Sequence, residues 1–83
     1  MGLDIVEMVM EVERTFGFEI PNSEAGKLRT VGHLHRYIRE HVSGAPQDPE
    51  LWEQLVDVVA RESGTRRERI RPESSFVEDL RMD

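Results

Sequence analysis

The stretch Leu3-Asp4-Ile5-Val6-Glu7-Met8-Val9-Met10-Glu11-Val12-Glu13-Arg14-Thr15-Phe16-Gly17 restricts the chain most. Its apolar residues Ile5, Val6, Val9, Val12 and Phe16 recur at three- and four-residue steps, which predicts one buried helix face. Asp4, Glu7 and Glu11 recur at the same steps and predict a second, charged face. Asp4 falls in the first turn, where the helix dipole favours a negative charge. Gly17 then supplies a residue able to turn left-handed after the last helical position. An acidic helix with a packed underside is therefore the first fixed element.

The rest of the chain adds helices. Phe18-Glu19-Ile20-Pro21-Asn22-Ser23 is too short and proline-ended for a paired strand, and reads as a connection with Phe18 and Ile20 pointing inward. Ser23 to Leu28 fits one or two helical turns capped by Asn22 or Ser23. Thr30 opens a clear helix, Val31 to His41, in which Val31, Leu34, Ile38 and Val42 keep the helical step while Arg36, Arg39 and Glu40 face water. Residues 43–47, Ser43-Gly44-Ala45-Pro46-Gln47, have linker composition. Asp48-Pro49-Glu50 reads as a helix start with Asp48 as cap. That helix runs to about Ser63, buries Leu51, Leu55, Val58 and Val59 with Trp52 at the edge, and stops at Gly64. From Thr65 to Asp83 a long loop is expected, anchored by Ile70, Phe76 and Leu80 and kept from continuous helix by Pro72.

Three substantial helices, one short helix and a structured loop define an all-α fold in one domain, residues 1–83. At 83 residues without cysteine, stability must come from helix packing rather than disulfides or thiolate metal sites. The net charge of −6 argues against nucleic acid and anionic membrane as partners and toward basic protein surfaces. No apolar run approaches the roughly 20 residues that span a bilayer. The start Met1-Gly2-Leu3-Asp4 lacks signal-peptide regions, so the cytoplasm is the expected location.

The string Glu73-Ser74-Ser75-Phe76-Val77-Glu78-Asp79-Leu80-Arg81-Met82-Asp83 closely resembles the loop leading into the attachment site of acyl carrier proteins. In that family the loop ends in Asp-Ser-Leu, and the serine carries a 4'-phosphopantetheine arm. The opening helix, through Phe16-Gly17-Phe18-Glu19-Ile20-Pro21, resembles the helix that follows that serine. Glu24-Ala25-Gly26-Lys27-Leu28-Arg29-Thr30-Val31-Gly32 and the helix behind it resemble the next two family elements, and Leu51 to Gly64 resembles the family's first helix. The resemblance implies a small four-helix bundle of the acyl-carrier type. Its order implies a circular permutant: residues 1–42 hold family helices two to four, 43–47 the closing linker, and 48–83 the first helix and loop. Five or six linker residues at about 3.3 Å each span roughly 15–20 Å, and permutation succeeds where termini are close.

Aligned in this way, Gly2 stands where the attachment serine should be, flanked by Asp83 and Leu3. Gly2 has no hydroxyl, so no phosphopantetheine is expected on the chain. Ser23, Ser43, Ser63, Ser74 and Ser75 fit caps, turns and the linker. The resemblance further implies Asp4, Glu7, Met8, Glu11 and Glu13 as contacts for basic surfaces of acyl-chain synthases, transferases and phosphopantetheinyl transferase. Arg14 and Thr15 stand where the family usually continues acidic. Phe76 and Leu80 are expected to anchor the terminal loop against Val6, Val9 and Met10.

Competing chemistries have less support. Arg61, Arg66, Arg67, Arg69 and Arg71 form one basic concentration, read as a solvated loop pairing with Glu62, Glu68 and Glu73, because interleaved aromatics and an overall basic domain are both missing. His33 and His35 diverge on a helix and, with His41, read as surface histidines rather than metal ligands. No nucleophile–base pair, P-loop or glycine-rich phosphate turn points to an enzyme. A monomer is expected. The alternative from another class is a structural or interaction module, in which the 50–63 helix is exchanged between copies; a segment spanning the junction of two tandem carriers would read in the same order.

Overall fold

A computed structural model describes residues 5–80. These form an all-α fold of four helices in the order α1 (Ile5–Phe16), α2 (Asn22–Ala25), α3 (Val31–His41) and α4 (Glu50–Ser63), followed by a 3-10 turn at Arg67–Arg69. The described residues contain no strand, only one antiparallel bridge between Thr30 and Ser75. Their longest helix is α4, and none is long and apolar enough to cross a membrane.

Helix α4 is the hub, packing against α1, α3 and the 3-10 turn. Leu51, Leu55, Val58 and Val59 are buried as the spacing predicts, and Val56 joins them. In α3 the buried set is Val31, Leu34, Tyr37 and Ile38. Ile20, Ile70, Phe76 and Leu80 complete the core from the connections. Phe18 packs partly buried against it, its ring 6.3 Å from that of Tyr37.

Helix α1 is rotated from the expected face. Met8 and Val12 are fully buried, whereas Val6 is 64 % and Met10 52 % exposed. Helical geometry gives the reason: at about 100° per residue, Met8 lies about 40° from Val12 but Val6 about 120° from it. Val6 satisfies a local step to Ile5 and Val9 yet sits off the arc that α4 covers. The anchors Phe76 and Leu80 are buried as expected. The exposure of Val6 and Met10 removes those two from the proposed anchoring face.

Two helix starts also differ. Helix α2 begins at Asn22 without a side-chain cap, its first turn closed by the Pro21 carbonyl, which accepts from the Glu24 and Ala25 N–H groups at 2.9 and 3.0 Å. Pro49 rather than Asp48 takes the cap position of α4, whose first-turn bonds run from Leu51 N–H to Gln47 O and from Glu53 N–H to Pro49 O. The Asp48 carboxylate instead reaches α3, with Oδ1 2.7 Å from His35 Nε2 and Oδ2 3.4 Å from Arg39 Nη1. The edge of the Trp52 ring stands against His35 at 5.4 Å. Val42 and Ala45 pack partly buried on the core, so the connection between α3 and α4 is tied to the body at both ends.

Thr30 caps α3, its Oγ1 accepting from His33 N–H at 3.1 Å. The other early N–H groups of that helix find carbonyls on the terminal loop: Val31 N–H donates to Ser74 O at 3.0 Å and Gly32 N–H to Pro72 O at 2.7 Å. Phe76 N–H returns a bond to Arg29 O at 3.0 Å. The loop lies so close that a Cβ on Gly32 would meet Pro72 O at 2.7 Å.

Two outcomes follow from these contacts. Gly32→Ala should destabilise the fold by about 1–3 kcal/mol, the usual range for overpacking, and speed hydrogen exchange at Val31 and Phe76; denaturant unfolding and amide exchange measure both. The hydrogen bond from His35, ahead of its charge, the Trp52 N–H and the charge of Arg39, holds the Asp48 carboxyl below its ordinary value. A depressed folded value gives stability that is present above the unfolded pKa of about 3.9 and lost as pH falls through the folded one. Asp48→Asn should therefore melt below the parent at pH 6 and converge with it below about pH 3, as followed by circular dichroism.

Candidate functional site

The expected contact residues separate in the structure. Gly2, Leu3, Asp4 and Asp83 lie outside the described residues. Glu7 stays on the exposed side of α1. Met8 is corrected: its side chain is fully buried, and a group with no accessible surface cannot meet a partner. The exposed methionine of α1 is Met10. Val6 and Met10, four residues apart, form an exposed apolar pair beside Glu7.

Glu11 and Glu13 have internal work. Glu11 pairs with Arg14 at 2.9 Å and lies 3.9 Å from Arg61 of α4. Glu13 takes part in the turn that ends α1. Its carbonyl accepts from Gly17 N–H at 2.8 Å and Phe18 N–H at 3.1 Å, and its Oε2 accepts from Ile20 N–H at 2.6 Å. The left-handed Gly17 (φ 71°) makes that turn. Both acids are half-buried, so the fully presented part of α1 is narrower and more apolar than its charge pattern implied.

A second feature lies beside the start of α1. Ile5, Ala25, Leu28, Phe76 and Val77 line an apolar concavity of about 370 Å³, with Gly26 and Glu78 among its other walls. It joins the first described residue of the chain to the terminal loop. The loop holds its own shape through a reciprocal pair of bonds. Ser75 Oγ accepts from Glu78 N–H at 3.1 Å, and Asp79 Oδ2 accepts from Ser75 N–H at 2.7 Å. This is the logic of a capping box.

The remaining serines give no vacant nucleophile in a built site. Ser74 is buried, and its Oγ accepts from Arg71 N–H at 2.9 Å. Ser63 Oγ accepts from Thr65 N–H at 3.2 Å, while Ser23 and Ser43 are exposed. None stands between an aspartate and a leucine.

His33 and His41 are exposed as expected and His35 is half-buried, and each has a partner within the chain. His35 holds Asp48, His33 Nδ1 accepts from Arg29 N–H at 3.3 Å, and the His41 ring stacks on Tyr37 at 4.1 Å. Among the described residues no group of three or more His, Cys, Asp or Glu is arranged to hold a metal ion. Of the arginines, Arg61 meets Glu62 as expected, but Arg67 turns back to Glu53 and Asp57 on α4 instead of Glu68.

Comparison with known proteins gives a partial match. Over 40 residues the chain is 54 % identical to an acyl carrier protein of Lactobacillus johnsonii, covering 48 % of this chain and 50 % of the relative. Over the same length it is 51 % identical to one from Rubrobacter xylanophilus and 49 % to one from Chlamydia trachomatis, covering 49 % and 52 % of those proteins. The chain thus matches about half the length of these curated relatives. No protein-family model matches it, and no solved structure does.

The two methionines of α1 should behave oppositely. Met8→Ala should cost about 2–5 kcal/mol, the range for emptying a buried methionine site. Met10→Ala should leave stability within about 0.5 kcal/mol of the parent. Urea unfolding of both variants measures the difference.

Proposed function

We propose that the chain is an acyl-carrier body of fatty-acid or polyketide biosynthesis in circularly permuted order, docking on cognate enzymes without carrying a covalent arm. One observation carries the reading: Ile5 and the loop at 75–78 line a single apolar concavity. In a permutant cut at the attachment site, these are the two sides of the cut, and the fold must bring them together. Matches of about half of each chain to acyl carrier proteins support it, since a permuted order interrupts any continuous alignment.

On this reading residues 1–42 act as the family's second to fourth helices, 43–47 close the chain, and 48–83 supply the first helix and loop. Phosphopantetheine, when present in this family, supplies the thiol that holds the acyl group. Here Gly2 offers no oxygen to bond it. What the chain retains is the surface. Val6 and Met10 give apolar contact, and Glu7 with Asp4 gives charge for the basic surfaces of acyl-chain synthases, transferases and phosphopantetheinyl transferase. Glu11 and Glu13 contribute field while remaining held by Arg14, Arg61 and Ile20. The protein acts as a cytoplasmic monomer and not as an enzyme. The interior concavity is the place where an acyl tail would lodge, lined by Ile5, Leu28 and Phe76.

A second reading keeps the same body but exchanges α4 between two copies, as a segment across the junction of tandem carriers would. Sedimentation at micromolar concentration distinguishes the two, with a stable dimer sinking the monomer reading.

Loading tests the chemistry. Incubation with a phosphopantetheinyl transferase and coenzyme A should leave the intact mass unchanged. Binding to the same transferase should still be measurable, and Met10→Asp should weaken it about tenfold while the melting temperature holds. An arm gained on any residue, or binding indifferent to Met10→Asp, would overturn the assignment.

A further inference from the structure

We propose that an arginine-lined concavity beyond the end of α4 binds a ligand carrying two or more phosphate groups. The inference is independent of the carrier reading, since it concerns neither α1 nor the apolar concavity. Arg66, Arg69 and Arg71 line an open concavity of about 680 Å³ together with Thr65, Glu73 and Asp79. That volume suits a small-molecule ligand.

Convergence on one concavity sets these three arginines apart from Arg29 and Arg36, which also make no ion pair among the described residues. Arg14, Arg39, Arg61 and Arg67 are all spent on carboxylates within the chain. Arg66, Arg69 and Arg71 are exposed and make no ion pair among the described residues. They project from ordered backbone. Ile70, between them, is buried in the core, Arg69 N–H donates to Arg66 O at 3.0 Å, and Arg71 N–H donates to the buried Ser74 Oγ at 2.9 Å. The guanidinium groups therefore extend from a fixed frame rather than from a loose tail.

The same walls decide the ligand class. Glu73 and Asp79 face the concavity, and Asp79 is already held by Ser75 N–H. Three cations against two carboxylates leave a local excess of one positive charge on a chain of net −6. A single carboxylate or sulfate is too short to engage the guanidinium forks of Arg66, Arg69 and Arg71 together. Adjacent phosphates present enough charge and enough paired oxygens to engage several guanidinium forks at once, the geometry that arginine matches best. A nucleic-acid strand is disfavoured, because no aromatic side chain lines the concavity for base stacking. Two sources share the favoured chemistry, a nucleoside di- or triphosphate and an inorganic oligophosphate.

Amide-detected NMR titration of the full chain at low salt is the test, with sodium tripolyphosphate and ADP as probes. Sodium sulfate at matched ionic strength and a single-stranded oligonucleotide serve as comparisons. Saturating shifts confined to the amides of residues 64–74 and 79–80 are expected with tripolyphosphate. Equal or tighter binding of ADP assigns a nucleotide, and weaker binding assigns an inorganic oligophosphate. Arg69→Gln and Arg71→Gln should each weaken binding at least about tenfold, the loss expected for a charge-assisted contact, whereas Arg36→Gln on α3 should not. If a glutamine variant fails to fold, Arg69→Lys keeps the charge, removes the fork and should still weaken binding. Shifts that sulfate reproduces, that never saturate, that spread over all basic residues or that survive both Arg69→Gln and Arg69→Lys would overturn the proposal. Tighter binding of the oligonucleotide than of tripolyphosphate would do the same.

Discussion

The fold depends on the seam between the terminal loop and the start of α3. A helix begins with N–H groups that have no partner inside it. Here Thr30 satisfies one of them, and the carbonyls of Pro72 and Ser74 take those of Gly32 and Val31. The return bond from Phe76 N–H to Arg29 O sets that aromatic ring into the core. One short row of polar bonds thus finishes a helix, orders a long loop and positions the largest fully buried side chain among the described residues. Gly32 is the residue that lets the two backbones approach this closely.

The seam also sets what α1 can offer. With Phe76 and Leu80 filling the core beneath the loop, α1 buries the Met8–Val12 line and leaves Val6 and Met10 outside. The charges on α1 are not uniformly available either. Glu11 is neutralised by Arg14 and Arg61, and Glu13 is committed to closing the turn at Gly17. The resulting surface pairs a small apolar contact with flanking charge. Recognition of that kind draws contact energy from the apolar pair and encounter rate from the field.

Element type was legible because helical spacing is a local property. Leu34 and Ile38, or Leu51, Leu55 and Val58, carry their own periodicity, and Gly17 and Gly64 mark where it ends. Side-chain rotation on α1 was legible in principle and missed in practice. Val6 obeys the step rule with Val9, and only the angular distance from Val12 shows that Met8, not Val6, completes the buried arc. Asp48 illustrates the opposite case. An aspartate before proline and glutamate has the local chemistry of a cap, and only the three-dimensional return of α3 offers it His35 and Arg39 instead. The loop–helix seam could not be read from pattern at all, since backbone carbonyls such as those of Pro72 and Ser74 leave no trace in side-chain identity. The apolar concavity between Ile5 and Phe76 is a long-range product of that seam.

The central position of α4 has a consequence for biosynthesis. Helices α1 and α3 find their shared apolar support in α4, an element made after both. While the ribosome is still elongating through residues 50–80, Met8, Val12, Leu34 and Ile38 have no surface to cover them. The nascent first half is therefore expected to gain its tertiary packing only once α4 emerges, leaving the apolar faces of α1 and α3 open to chaperones and proteases until then.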